Sequence, residues 1–336
     1  MSPGLFRLAL ASVVVAAHFT PFFLGSAAVA LFFVLSGYWI ATMWREKYRH
    51  APAPYLIFLV SRFWRLLPVF LLATAAALPV AHCRPQGWSW LPNVALLGYS
   101  QIACKPLTPA WSLDVEMQFY IVAPALMLVA AQGAVARWSL LAAGAISLLA
   151  VDFYLLGGSF LIHGLLYFTL GMLAAQRGWQ APRWLVNAGV ALAVVLVAIL
   201  MAHPTLRGTL WIGAHRAPSA IYSQQVNAAV ALLLTPFALS TVVNKSSELD
   251  RAFGDLSYIV YLIHWPVVVF ARDHFYAGGG LGKRLLVLAV AGTAIYLASV
   301  LIWFYFDRPM NRLRVAFVNR RVSRPAKTAQ PSPAAP

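Results

Sequence analysis

The chain has 336 residues, of which 61% are apolar and only 10% charged, against roughly 25% charge in a soluble domain. That balance excludes both an ordinary soluble enzyme and a disordered polyelectrolyte, and leaves a protein built to sit in a bilayer. The net charge of +16 does not indicate nucleic acid, because the basic residues are dispersed at helix ends and not gathered in one patch.

In chain order, the apolar runs long enough to span are Leu5–Leu24, Ala27–Trp44, Leu66–His82, Ser112–Ala131, Trp138–Leu156, Phe160–Gln176, Trp184–Ala202, Gln224–Val243, Leu256–Ala271 and Leu285–Phe306. They predict an all-α, polytopic transmembrane helical bundle of about ten spans. The shorter apolar stretch Trp88–Ser100 is expected to be interfacial or re-entrant. No segment has the composition of a second, soluble domain, and no internal repeat stands out. The expected organisation is therefore one membrane domain, 1–310, and a tail, 311–336, that is basic and then Pro/Ala-rich and expected to be disordered from Ser323 onward.

Charge placement orients this bundle. With the N-terminus in the cytoplasm, 18 of the 25 Lys and Arg residues fall on inner segments and 7 on outer loops, so both termini are expected to be cytoplasmic. A competing reading of the start is a cleaved signal peptide, since Arg7 precedes an apolar core and Ala28-Val29-Ala30 has a small-x-small pattern. The apolar stretch resumes at once with Leu31 to Leu35, which favours a tight helical hairpin. Cys83 and Cys104 both fall in the first large outer loop, where an extracytoplasmic disulfide is expected, two buried free thiols being the alternative.

His18 lies within the first apolar run, where an ionisable side chain is costly and faces the protein interior. Its alternatives are a functional group and a neutral, hydrogen-bonded packing residue. At about 100° per residue, Arg7, Ala11, Val14 and His18 share one stripe, with His18 about 16 Å beyond Arg7. Ser112, Glu116 and Tyr120 form a second stripe on the fourth span, and Glu116 enters the membrane about 9 Å from its outer end, a depth similar to that of His18. The spacing thus allows the two to meet. A histidine and carboxylate excluded from water suit general-base chemistry, because the carboxylate fixes the tautomer and stabilises the imidazolium; a buried ion pair joining two helices is the structural alternative. Asp114 points almost opposite Glu116 and is the weaker partner. Arg62 and Arg65, at i and i+3 at the inner mouth of the third span, form with Arg7 a set of guanidinium forks suited to a polyphosphate or nucleotide. Ordinary positive-inside flanking is the alternative. No residues have metal-ligand spacing, and neither Ser-x-x-Lys nor Gly-x-Ser-x-Gly is present.

These residues carry a resemblance. Arg7-Leu8-Ala9 with His18 eleven residues after the Arg, Phe32-Phe33-Val34-Leu35-Ser36-Gly37-Tyr38, Arg62-x-x-Arg65-Leu66-Leu67-Pro68, Trp111-Ser112-Leu113-Asp114-Val115-Glu116-Met117-Gln118-Phe119-Tyr120 and Ser257 to Pro266 occur in order. Together they resemble the acyltransferase-3 family of integral-membrane O-acyltransferases. The resemblance implies transfer of an acyl group, often acetyl, from cytoplasmic acyl-CoA to a hydroxyl of an exopolysaccharide, O-antigen or lipid-linked sugar, in a bacterial inner membrane. It implies His18 as the catalytic histidine, Arg62 and Arg65 as a donor-binding pair joined by Arg7, and Glu116 with Ser112 as a functional motif. Substrate contact is further expected from Trp111, Tyr120 and His264, with interface anchoring as the alternative for Trp111 and a structural hydrogen bond for His264. Ser36 and Gly37 are read as permitting close helix approach, with a polar functional role as the alternative.

The expected cofactor set is empty, acyl-CoA being a substrate, and the expected partners are membrane lipids, a carbohydrate or glycolipid acceptor and glycan-assembly proteins, with no nucleic acid. Some relatives carry a soluble esterase-like domain after the last spans, and none is expected within the residues that follow Phe306 here. The competing class is a transporter or flippase of lipid-linked glycans, which would show broken helices at corresponding points of two halves; no paired Gly/Pro interruptions are seen. An acyltransferase acting on a small-molecule glycoside shares the chemistry and differs in acceptor.

Overall fold

The computed structural model describes residues 1–152, 161–211, 218–244, 246–275 and 280–322. Arg216, Lys245, the tail Ser323–Pro336 and the expected span boundaries at Leu156 and Phe160 lie outside the described residues. Among those described, the chain is helical throughout, with one isolated bridge between Phe22 and Trp211. The helices are α1 Pro3–Phe19, α2 Gly25–Met43, α3 Pro54–Ala77, α4 Trp90–Ala95, α5 Trp111–Ala131, α6 Ala134–Asp152, α7 Leu165–Arg177, α8 Arg183–Ala202, α9 Ser223–Thr241, α10 Glu248–Phe275, α11 Leu281–Ile302 and α12 Arg308–Val322. Each of the ten apolar runs coincides with one of them. Six uninterrupted helical stretches are long and apolar enough to cross a membrane, and Pro3–Phe19 and Ala134–Ala150 are shorter apolar helices.

Local chemistry explains several boundaries. Pro at the first helical position opens α1 and α3, where its missing N–H costs nothing. Gly178, at φ 61°, closes α7 in the left-handed conformation that glycine adopts without strain. Two π-helical turns have a different use. Trp44–Tyr48 extends α2 and Trp303–Asp307 joins α11 to α12, and each wide turn ends on a residue that meets an arginine of α3.

Two boundaries correct the sequence reading. The third span was expected to begin at Leu66, leaving Arg62 and Arg65 at its mouth, yet α3 begins at Pro54 and carries both arginines within the helix. The apolar run looked interrupted there because each guanidinium finds buried partners that a hydropathy pattern does not show. Residues 311–322, assigned to the tail on composition, are the body of α12. The stretch Leu281–Val322 has 42 residues, about 63 Å at helical rise, so its basic end must project beyond a hydrocarbon layer of about 30 Å.

At the centre, α2 packs against α1, α5, α7 and α9, while α10 packs against α1, α3 and α11. Gly37 of α2 and Gly171 of α7 let these helices touch: a Cβ on Gly37 would strike the Phe168 carbonyl, and one on Gly171 the Val34 carbonyl. By contrast α8 and α11 leave Leu192, Val195, Ile199, Leu286, Val290 and Leu297 exposed, as lipid-facing helices do. On the outer loop, Cys83 and Cys104 form the expected disulfide across 21 residues. Trp88–Ser100 contains the six-residue α4 with Trp88, Trp90 and Leu91 exposed, a composition suited to the interface. Asp114 is wholly buried and accepts hydrogen bonds from the backbone of Gly98 (2.9 Å) and Ser100 (2.7 Å), which pins this loop to α5.

Candidate active site

α2, α3, α5 and α10 enclose a cavity of about 290 Å³ whose wall includes Arg7, Arg62, Arg65, Ser112, Glu116 and Tyr120. Six of the nine residues singled out from sequence thus meet around one space. They arrive from three helices, Arg7 from α1, the arginine pair from α3, and the Ser112, Glu116 and Tyr120 stripe from α5.

Their partners are more specific than the spacing indicated. Glu116 was expected opposite His18, but its Oε1 instead accepts hydrogen bonds from Ser36 (2.5 Å) and from the Tyr120 hydroxyl (2.6 Å). Counting residues from helix ends gives depth, not which helix is the neighbour, and α10 stands beside α1. Ser36, read as a spacer, is therefore a polar member of the cavity wall, and Gly37 alone makes the close approach. The Ser112 and Tyr261 hydroxyls are 2.7 Å apart and both reach the Pro109 carbonyl, at 3.1 and 3.0 Å.

The two arginines of α3 differ. Arg65 donates twice to Asp307 (2.9 and 3.1 Å) and once to Asp255 (2.7 Å), so both ends of its fork hold carboxylates. Arg62 donates to the Tyr48 hydroxyl at 3.1 Å and stacks near the rings of Tyr48 and Phe58. Arg7 has no hydrogen bond or ion pair among the described residues and lies within electrostatic reach of Glu116, Asp255 and Arg65. Arg314 of α12 also lines the cavity.

His18, His264 and Trp111 lie off this wall. His18 stacks on His264 with ring centroids 5.3 Å apart and meets Trp265 edge-on at 5.2 Å, while its carbonyl accepts from Arg272 at 3.1 Å. His264 is fully buried; one ring nitrogen lies 3.3 Å from the Val260 carbonyl and Nε2 has no partner. Tyr261 links the two regions, lining the cavity with its ring centroid 6.0 Å from that of His264. Trp111 faces a second cavity of about 340 Å³, with Tyr167, Gln224 and Asn227, and Val29 and Phe33 wall both spaces.

Residues 3–307 match the acyltransferase 3 family, described as an acyltransferase domain. The chain belongs to this family. The acyltransferase is also 25% identical over 323 residues to the exopolysaccharide production protein ExoZ of Rhizobium meliloti (strain 1021), covering 88% of this chain and 91% of that protein. No solved structure matches. Together with its apolar helices, the family makes this a multi-pass membrane acyltransferase.

Tyr48, Ser61, Asp255, Asp307 and Arg314 carry no signal in the sequence, being single polar residues without spacing or pattern. Tyr261 stands within the matched Ser257 to Pro266 segment and was passed over beside His264. Among the described residues no group of His, Cys, Asp and Glu could hold a metal ion.

Proposed function

We propose that this acyltransferase moves an acyl group, acetyl being the simplest, from cytoplasmic acyl-CoA to a hydroxyl of an exopolysaccharide or its lipid-linked precursor, in a bacterial inner membrane. The observation that carries the reading is one continuous arrangement: an arginine-walled cavity that ends at Ser112 and Tyr261, with Tyr261 against His264 and His264 against His18.

Arginine forks suit the donor's phosphates, and a narrow cavity below drug-pocket size suits its pantetheine arm. His18 takes the proton of the acceptor hydroxyl as that oxygen attacks the thioester carbonyl; the C–S bond breaks and the imidazolium returns the proton to the departing thiolate. His264 and Trp265 hold the His18 ring in place. Glu116 supplies negative charge within the arginine wall, and Ser112 with Tyr261 marks the end at which the thioester rests. Trp111 and the second cavity lie on the acceptor side, where aromatic and amide groups suit a sugar. The similarity to ExoZ supports a polysaccharide acceptor.

The test is biochemical. Membranes containing the acyltransferase should transfer label from radioactive acetyl-CoA to surface glycan, and cells without the gene should have glycan lacking that ester. Glycan of unchanged acyl content, together with no use of acyl-CoA, would reject both donor and acceptor.

A further inference from the structure

Four guanidinium groups line the cavity, and they are unequally compensated. Arg65 is held by two carboxylates. Arg62 and Arg314 hold none. Arg62 is only 7% exposed, its Nη2 rests on the Tyr48 hydroxyl, and its Nε is buried with no partner. Arg314 donates to the Ser61 hydroxyl at 2.8 Å and to Asn311 Oδ1 at 2.7 and 3.0 Å. Tyr48 and Ser61 are themselves hydrogen-bonded at 2.8 Å, so one hydroxyl pair joins the two arginines. Every acceptor in this cluster is neutral. Asp255 and Asp307 lie within electrostatic reach of Arg314 but are already held by Arg65, so two cations brought together on uncharged hydrogen-bond acceptors, one of them buried, favour an anion that offsets the lost hydration and mutual repulsion.

We infer that Arg62 and Arg314, bridged by Tyr48 and Ser61, form the subsite for the terminal phosphate monoester of the donor, the 3′-phosphate of coenzyme A. This rests on the acyl-CoA reading above. Two observations select that phosphate. A monoester carries close to two negative charges near neutral pH, matching two guanidinium groups, whereas each phosphorus of the diphosphate bridge carries about one. Along α10, Asp255, Tyr258 and Tyr261 meet Arg65, the Leu66 carbonyl and Ser112 in that order, so Arg62, one turn before Arg65 on α3, lies on the far side of Arg65 from the Ser112–Tyr261 end. The pair therefore sits farthest from the thioester, where the nucleotide's terminal phosphate must lie. Arg314 is beyond residues 3–307, so this half of the subsite is an addition to the matched acyltransferase domain.

The experiment is competition of coenzyme A and of dephospho-coenzyme A against radiolabelled acetyl-CoA, on the purified full chain in neutral detergent. The wild-type protein should prefer coenzyme A by about tenfold to a hundredfold, the worth of charge-assisted hydrogen bonds. Arg314→Gln should bring that preference close to unity while leaving dephospho-coenzyme A binding unchanged, and Arg314→Lys should retain part of it. Tyr48→Phe, which removes a bridging hydroxyl and no charge, should lower the preference partially, and serves if Arg314→Gln does not fold. Acetyl-CoA binding with an undiminished preference in Arg314→Gln and Tyr48→Phe overturns the subsite and leaves the donor reading intact. Wild-type protein that binds no acetyl-CoA ends the donor reading and the subsite with it. Loss of co-purifying anionic lipid in Arg314→Gln, with the preference unchanged, assigns the pair to a lipid headgroup and likewise overturns the proposal.

Discussion

At the scale of single residues, His18 and Glu116 have different partners. His18 touches two rings, His264 and Trp265, whereas Glu116 accepts from two hydroxyls on the arginine side. If His18 is the base, His18→Ala lowers acyl transfer by on the order of 10²–10⁴-fold without loss of folded protein. Glu116→Gln, which keeps the shape and removes the charge, lowers turnover less than His18→Ala, because its carboxylate does not orient the imidazole. Initial rates for both variants, normalised to protein in the membrane, check the ordering; a larger loss in Glu116→Gln would return Glu116 to the role of His18's partner. His264→Phe addresses the unpartnered Nε2. It retains a ring beside His18 and removes the polar edge, so a large loss would show that the edge contacts substrate or solvent in the reaction.

At the scale of elements, a few contacts across the sequence determine how the C-terminal segment meets the bundle. Asp307, at the end of the π turn, holds Arg65 from 242 residues away, and Arg314, about two turns further on, holds Ser61. Asp307→Ala leaves the Arg65 guanidinium with one carboxylate fewer in a partly buried site, a change that costs about 3–5 kcal/mol where a buried pair is broken. The unfolding midpoint in detergent should fall clearly. Replacing the whole cluster with neutral residues of similar volume, Arg65→Met with Asp255→Asn and Asp307→Leu, should restore much of that stability while abolishing activity, because no unpaired charge is left. Equal destabilisation by the single and triple variants would show that packing, not the ion pairs, holds the segment.

At the scale of the whole molecule, direction follows from charge. Eighteen of 25 basic residues lie on one side in the orientation that places both termini in the cytoplasm. In that orientation the arginine-lined cavity is expected to open inward and the disulfide loop to face outward, where oxidation of Cys83 and Cys104 is supported. If acyl-CoA is the donor, the acyl group travels inside the helix bundle, because coenzyme A cannot cross lipid unaided. In sealed vesicles of known orientation, acyl-CoA on the cytoplasmic face should label acceptor on the other side, and a reporter fused after Pro336 should report from the cytoplasm. Labelling that requires outer acyl-CoA would reverse this arrangement.

What the sequence by itself determined was class, the positions of most helices and several of the residues facing inward. Apolar runs and the 3.6-residue period are local properties, so ten runs became ten helices and the stripes through Arg7 and Ser112 both reached the cavity. The Arg62 and Arg65 pair was legible as an inward-facing pair that lines the cavity, and the family from five ordered segments. Pairing was not legible. Which carboxylates hold Arg65, which hydroxyls hold Glu116, and that His18 lies against His264 all depend on which helices become neighbours. Tertiary packing decides this through contacts such as Gly37 against Phe168, long after depth and face have been set. The same reason hid Arg314: as one basic residue in a basic segment it carries no pattern, and only the return of α12 to α3 places it beside Arg62.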